Sequence, residues 1–573
     1  MIRIKTHDAR TLELAPAHDQ IPGQGQTLAQ AIFLADLWEG VPLCAGLGKC
    51  GLCRVRYVSA PPAPAAEELK RLGEEAVAQG WRLSCLHQAE ACQIELPEPK
   101  RSARPRVVLA GQAPGAATGE FSVPVPPTTG PAALAASLST TINTPIISTS
   151  GPAALAASLS IDLGTTSIHW AVQSATGQLL SSGQGLNPQM GLGSEVMSRL
   201  AYAAKPGGAE TLSRLLISRL RELVRGAEST HGGKITRLCV AGNSAMTYLL
   251  LGLPPEMLAG LARAPYRLDF AGGTERTLAP DLPGALIPPL LAPFVGADLS
   301  AGLAALHFAP AEAEGGPPAY PYLLADLGTN GEFVLALSPG EYLLASVPMG
   351  PALEGVGLRH GRVAAPGAVR AFALTPVGLR PEYIGRSPLP DEDPGITGVG
   401  YLSLAATLRR AGVLDESGRF VVPATPLGKR LAKELITLSG EQALDLGHGL
   451  LLPASDVEEL VKVKAAFNLA LSRLLTEAGL APGALAGVYL AGAMGEHVDM
   501  TDLATLGFLP EALLGRVRRA GNTSLAGARV LLGDPKAWDW VLGLPGKCRV
   551  LDLASEPDFG SLYVERMVLR HVA

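Results

Sequence analysis

Four cysteines place the strongest constraint on this chain. Cys44, Cys50, Cys53 and Cys85 are spaced C-x5-C-x2-C-x31-C, three of them in a glycine-rich loop and the fourth supplied from a distant segment. Thiolates that converge on one small centre force the backbone between them into tight turns, which glycine adopts at least cost. An iron–sulfur centre is the reading this spacing favours. Zinc competes, because all-thiolate zinc sites also use C-x2-C, but those normally come as two such pairs, and Cys85 in Trp-Arg-Leu-Ser-Cys-Leu stands alone. Disulfides are a third reading, disfavoured because the N-terminal Met-Ile-Arg-Ile-Lys-Thr-His-Asp has no apolar stretch of the secretory kind. Cys92, Cys239 and Cys548 are scattered singly, as expected of buried thiols in a reducing cytoplasm.

A length of 573 residues is too great for one core and predicts two to four domains. With 47% apolar and 17% charged residues, those domains can bury large cores. The net charge of −5, with no basic run or aromatic-basic stripe, excludes nucleic acid as the expected partner. Phe121 to Ile161 carries no charge, but its six prolines argue against a membrane-spanning helix, so no membrane partner is expected.

Residues 1–98 read as a small β-rich domain: a strand at Ile2–Lys5, a helix opening at Thr27, the cysteine loop, a strand from Cys53 to Val58 and a last strand from Cys92 to Pro97. Residues 99–158 are rich in Pro, Ala, Ser and Thr and read as a linker. They contain Gly-Pro-Ala-Ala-Leu-Ala-Ala-Ser-Leu-Ser at 130–139, repeated identically at 151–160. From 159 onward the signals are those of alternating strands and helices. A helix is expected over Thr211–Val224, stopping at Gly226. Another is expected over Asp456–Ala478, opened by a Ser455/Glu458 capping box, with Lys462 and Lys464 on its solvated face.

One pattern occurs twice. Ile161-Asp162-Leu163-Gly164-Thr165-Thr166 lies between two apolar strands, and so does Ala325-Asp326-Leu327-Gly328-Thr329-Asn330-Gly331. The backbone N–H groups of such turns, with the threonine hydroxyls, can donate to phosphate oxygens. Asp162 and Asp326, at strand ends, can hold a hydrated Mg2+, which takes one or two carboxylates plus waters and phosphate. A third turn, Leu490-Ala491-Gly492-Ala493-Met494-Gly495-Glu496-His497, runs an apolar strand into small residues that leave room for a base and ribose. The repeated pattern suggests two related half-domains facing one site.

These motifs carry resemblances. Gly25-Gln-Thr-Leu, the triple-cysteine loop and Gly80-Trp-Arg-Leu-Ser-Cys85 resemble the ferredoxin-like module, whose plant-type [2Fe–2S] ligation has four residues in the first gap where this chain has five. The three turns together resemble the phosphate-1, phosphate-2 and adenosine motifs of the actin-like ATPases, which implies ATP with Mg2+. Within that likeness Gly242-Asn243 is a connecting segment from which Asn243 can reach the nucleotide. The expected fold class is multidomain α+β and α/β: a β-grasp ferredoxin-like domain, a linker, and a two-lobed actin-like domain with lobes of about 159–320 and 321–573.

The combination is similar to the reductive activators of corrinoid-dependent methyltransferases. The likeness extends through Asn187-Pro188-Gln189, Gly193 to Arg199, Gly350 to Gly355 and Gly521-Asn522-Thr-Ser-Leu-Ala-Gly527. It implies ATP-dependent transfer of one electron from a [2Fe–2S] cluster to cobalt(II) of a corrinoid protein, an external electron donor and a homodimer. Related activators have a further small domain between the two parts, and the segment 99–158 is not expected to form one. A plant-type cluster sits near about −400 mV. Cobalt(I) corrinoids are stronger reductants, so the transfer is uphill and needs coupling to ATP. Two other classes fit the same motifs: a small-molecule kinase with a redox-sensing appendage, and an ATP-gated redox carrier or sensor.

Overall fold

The computed structural model describes residues 1–7, 10–14, 26–35, 37, 48, 51–97, 106–109, 156–193, 196–254, 258, 275–310, 316–328, 330–349, 351–354, 357–362, 364, 366–388, 395–438, 440–492 and 498–572. Its first unit is a five-stranded sheet of β1 (Ile2–Lys5), β2 (Thr11–Leu14), β3 (Arg54–Tyr57), β4 (Trp81–Leu83) and β5 (Cys92–Glu95), in the order β2-β1-β5-β3-β4. β1 and β5 run parallel and the other neighbours antiparallel, the pairing of a β-grasp. Helix α1 (Leu28–Leu34) starts at a capping box in which Thr27 and Gln30 satisfy each other's backbone N–H groups. It buries Leu28 and Ile32 against Ile2, Ile4, Val55 and Ile94. Helix α2 (Ala66–Leu72) is tied to β4 through Glu68, which accepts from the Leu83 N–H.

Two six-stranded sheets follow, and they share one plan. The first contains β6 (Arg106–Leu109), β7 (Ala157–Leu163), β8 (Ser167–Ser174), β9 (Leu179–Leu186), β10 (Ile235–Gly242) and β11 (Gly284–Leu286), in the order β11-β10-β7-β8-β9-β6. In the second lobe β12 (Tyr322–Leu327), β13 (Asn330–Ser338) and β14 (Glu341–Pro348) form an antiparallel run. β15 (Val369–Thr375) and β16 (Gly378–Tyr383) make a separate hairpin, and β17 (Leu435–Leu438), β18 (Glu441–Gly447) and β19 (Leu450–Pro453) a small sheet. β20 (Gly487–Gly492), β21 (Val517–Gly521) and β22 (Cys548–Leu551) complete the order β21-β20-β12-β13-β14-β22. Each Asp-Leu-Gly turn thus leaves a central strand flanked by one parallel and one antiparallel neighbour.

Lobe one is covered by α3 (Val196–Ala203), α4 (Gly208–His231) and α5 (Ser244–Leu251), and ends in α6 (Ala297–His307). Lobe two carries α7 (Gly398–Arg410), α8 (Ala454–Glu477), α9 (Thr523–Gly533) and α10 (Phe559–Glu565). The lobes are not independent. α6 and α9 cross where Gly302 approaches Thr523 and Gly527 approaches Ala301. A Cβ on Gly527 would come within 1.8 Å of the Ala301 carbonyl. Residues of α6, β12, β13, β14, β10 and α9 share one core, so each lobe lends a helix to the other.

Several sequence expectations need correction. β6 lies inside the segment 99–158 read as a linker and pairs antiparallel with β9, and the second copy of the duplicated decapeptide supplies Ala157–Ser160 of β7. The first copy lies outside the described residues. α4 does not stop at Gly226 but runs to a left-handed Gly232, because burial of Leu220, Val224 and Ala227 outweighs the roughly 1 kcal/mol that an interior glycine costs. α8 has no Ser455/Glu458 capping box: the Ser455 N–H donates to Glu441, and Glu458 pairs with Lys462 at 2.8 Å. Lys464 is not solvated. It is fully buried and donates to the carbonyls of Arg566 (3.2 Å) and Arg570 (2.5 Å), holding the C-terminal segment after α10. None of the described helices is long and apolar enough to cross a membrane.

Candidate functional site

The cysteine centre is half visible. Cys44 and Cys50 lie outside the described residues. Cys53 ends the loop before β3 and Cys85 sits in a short turn after β4; both are buried, with their Sγ atoms 3.3 Å apart. The Ser84 N–H and hydroxyl both donate to the Cys53 carbonyl, at 3.0 and 2.7 Å, which fixes the two segments together. Glu68 of α2, fully buried, accepts from the Leu83 N–H at 2.5 Å and lies 2.9 Å from His87 Nε2, bracing both ends of the Cys85 turn. Two thiolates about 2.3 Å from one tetrahedral metal would be separated by about 3.8 Å. The observed pair is therefore close enough to share one ion, and the residues present fit a cluster or a zinc ion. Gly48 and Gly51, at φ of 68° and 71°, turn the loop as only glycine does cheaply. Among the described residues there is no group of three or more metal-ligating side chains.

The second candidate site lies between the lobes. Asp162 is the penultimate residue of β7. Its Oδ2 accepts from Asn522 Nδ2 at 2.6 Å and lies 3.3 Å from His169 Nδ1. Asn522 belongs to lobe two and its own Oδ1 caps α9 through the Leu525 N–H at 2.7 Å, so this contact ties the lobes together. Gly164, Thr165 and Thr166 form the turn to β8. A Cβ on Gly164 would lie 2.5 Å from the Ser167 carbonyl, so the turn is specific for glycine. The buried Thr166 hydroxyl has no hydrogen-bond partner among the described residues, the kind of donor a phosphate oxygen would satisfy.

Asn243 is committed within lobe one. Its Oδ1 caps α5 through the Met246 N–H at 2.9 Å, and its Nδ2 donates to Thr165 Oγ1 at 2.8 Å. It therefore positions Thr165. The sequence reading missed Asp298, in the first turn of α6. Its carboxyl is pushed up to about 7, chiefly by burial and further by the charge of Asp162. Val295-Gly296-Ala297-Asp298 gave only a weak signal, a glycine before an acidic helix start. Gly296 is needed because a Cβ there would come within 2.5 Å of the Asn243 backbone.

In lobe two Asp326 is the penultimate residue of β12, the counterpart of Asp162, and Gly328 N–H closes the turn onto the Asn330 carbonyl at 3.0 Å. Gly331 is the second residue of β13, where a Cβ would meet Met349 Sδ at 2.3 Å. Gly492, at φ 71°, ends β20 beside this turn, and a Cβ there would lie 2.4 Å from Asp326 Oδ1. Thr329, Ala493, Gly495 and Glu496 lie outside the described residues. The structure thus joins Asp162 to Asn522 and Thr165 to Asn243 as two separate contacts around one turn, and sets Asp326 against Gly492.

A hydrogen-bonded brace supports the Gly164–Thr166 turn. Asn187 Nδ2 donates to the Gly164 carbonyl at 2.8 Å, and its N–H to the Thr166 carbonyl at 2.9 Å. Arg199, fully buried, donates to the carbonyls of Gly193 and Thr165 and to Gln189 Oε1.

Taken together, these features define a two-lobed actin-like fold of the ASKHA type joined to a β-grasp ferredoxin-like module. Two family models match the chain: "RACo middle region" over residues 157–310 and "C-terminal domain of RACo the ASKHA domain" over 321–573. The chain belongs to the RACo family through these regions. The family's middle region coincides with lobe one, not with the segment between the two parts. A solved structure titled reductive activator for corrinoid, iron-sulfur protein superposes with a TM-score of 0.64 at 23% identity, covering 100% of this chain and 99% of that one, a likeness of fold. Corrinoid activation enzyme RamQ of Eubacterium limosum is 29% identical over 413 residues, 68% of this chain and 66% of the relative. The [Co(II) methylated amine-specific corrinoid protein] reductase of Methanosarcina barkeri is 30% identical over 305 residues, 49% of this chain and 50% of the relative. This chain thus spans just under two thirds and one half of those relatives' lengths.

Proposed function

We propose that this protein is an ATP-dependent reductive activator of a corrinoid protein, passing one electron to cobalt(II) to regenerate cobalt(I). The observation that carries the reading is the joining, in one chain, of a buried thiol pair at 3.3 Å in a ferredoxin-like module to two lobes that each carry an Asp-Leu-Gly turn. The names of the two relatives support it. Cys53 and Cys85 would hold one iron of a [2Fe–2S] cluster and Cys44 and Cys50 the other, and the bound cluster supplies single electrons at low potential. Asp162 and Asp326 would hold Mg2+ from opposite lobes. The Gly164–Thr166 turn would offer the Thr166 hydroxyl to a phosphate, the turn from Gly328 to Asn330 would line the site from lobe two, and Gly492 would leave room for the nucleoside.

Coupling falls to the chain's own interlobe contacts. Asn522 shares its carboxamide between Asp162 and the start of α9, so a ligand that competes for Asp162 alters the link between lobes. ATP can drive an uphill transfer only through such a difference in binding between states. The remaining parts of the reading are a corrinoid protein of a methyltransferase system as partner, an external reductant, a homodimer and a cytoplasmic site.

The test mixes reduced full-length protein with ATP and candidate cobalt(II) corrinoid proteins and follows cobalt(I) absorbance. Cobalt(I) should form with ATP and at least tenfold more slowly with ADP or with Asp162→Ala protein. Equal rates under all three conditions would refute the coupling.

A further inference from the structure

Phe33 belongs to two cores. It closes one end of the ferredoxin-like core and, with Leu34, packs against the core of lobe one. Its seat there is Gly191, where a Cβ would come within 2.2 Å of the Phe33 ring. Gly191 lies in the turn Pro188–Leu192 that follows β9, between the residues of the brace described above: Asn187 and Gln189 on one side, Gly193 and Arg199 on the other. Those residues hold the carbonyls of Gly164, Thr165 and Thr166. The turn that seats Phe33 is therefore the one whose flanking residues hydrogen-bond to the Gly164–Thr166 carbonyls.

The module has a second seat on lobe two. Arg71 Nη2 donates to the Arg359 carbonyl at 3.4 Å, and Lys70 Nζ lies 3.7 Å from Glu441 Oε1. Arg71 also packs on the cysteine loop: a Cβ on Gly51 would lie 3.2 Å from its Nε. The Arg359 N–H is held in turn by Asp456 at 2.9 Å. One rigid module thus rests on both lobes at once, by an aromatic anchor on one and a cationic arm on the other.

We propose that these two seats are the docking surface of the ferredoxin-like module, that Phe33 on Gly191 is its anchor, and that nucleotide bound at Gly164–Thr166 releases the module. Two fixed seats on one rigid body match a single angle between the lobes. A ligand that changes that angle, or shifts the turn the brace holds, separates them. The release step rests on the nucleotide reading given above; the docking step does not.

The experiment is hydrogen–deuterium exchange on the full-length, cluster-loaded chain, read at peptides 187–193 and 28–34, with nucleotide binding measured separately by calorimetry. Phe33→Ala and Gly191→Ala should each raise exchange at 187–193 at least tenfold with the visible spectrum of the cluster unchanged. Wild-type exchange in both variants overturns the docking. Should Phe33→Ala lose the cluster spectrum, Gly191→Ala, on the opposite partner, decides alone. Adding ATP with Mg2+ to the wild type should raise exchange at 28–34 at least threefold. Unchanged exchange with nucleotide bound overturns the release. No calorimetric binding overturns the nucleotide site and the release with it, while the docking still stands or falls on the two variants.

Discussion

Gly492 ends β20 at a φ of 71°, and a Cβ there would lie 2.4 Å from Asp326 Oδ1 and 2.9 Å from the Leu327 carbonyl. Gly492→Ala therefore adds two penalties. A side chain in the left-handed region costs roughly 1–2 kcal/mol, and forcing an extra carbon into occupied space costs roughly another 1–3 kcal/mol. Only the second acts on the site, because relief requires the Asp326 carboxylate to retreat by about 1 Å to reach ordinary contact. Gly479→Ala isolates the first penalty: φ there is 62°, and a Cβ would meet nothing within 4 Å. Calorimetric titration with a non-hydrolysable ATP analogue and Mg2+ is the assay. Gly492→Ala should bind at least tenfold more weakly, about 1.4 kcal/mol, while Gly479→Ala stays within twofold. Equal affinity in Gly492→Ala and wild type would refute the placement of Mg2+ and phosphate beside Asp326.

Cys53→Ser and Cys85→Ser should each abolish or strongly bleach the visible absorbance of the reconstituted protein while nucleotide affinity stays within twofold; a full spectrum in either variant would remove that residue from the ligand set. Lys464 gives a pH prediction. Burial, with Arg566 and Arg570 nearby, pushes its ammonium down to about 7 from an ordinary value of 10.5. A base whose folded pKa is depressed contributes stability present above its unfolded pKa and lost as pH falls through the folded one, at about 1.4 kcal/mol per pH unit between the two. Urea unfolding of Lys464→Met at pH 7 and pH 9.5 should lack this part of the wild-type difference; identical pH dependence in the two proteins would refute it.

The legible features of this chain were those in which nearby residues dictate their own backbone. The two Asp-Leu-Gly turns declare strand, turn and strand by alternation and glycine alone, and the structure has them as β7–β8 and β12–β13. Cys53 and Cys85 announced themselves by residue type. What escaped depends on partners far away in sequence. Asn522 reaches Asp162 across 360 residues, and Lys464 meets carbonyls more than 100 residues on, so helical periodicity placed that lysine on the wrong face. The Ser455/Glu458 pair has the right spacing for a capping box, yet Glu441 and Lys462 compete for its groups and win. β6 escaped because an edge strand within a low-complexity segment has little pattern of its own.

The two lobes repeat one frame but not one chemistry. In each, the aspartate faces an alanine on the parallel strand, Ala241 or Ala491; on the antiparallel side Asp162 faces His169, whereas Asp326 faces the buried Glu332. Asp162 is reached by a side chain of the other lobe, Asn522. A duplicated frame with unequal partners lets one ligand be read differently from its two sides. The lobes cannot part to do this, because α6 and α9 share a core and cross closely, Gly527 on the Ala301 backbone and Gly302 on the Thr523 side chain, so what is left to them is a change of angle about that crossing. Rotation about that crossing moves Gly191 and Arg359 relative to each other. A module seated on both residues would sense the lobe angle directly, and the proposed release would place the thiol pair under the control of the lobes.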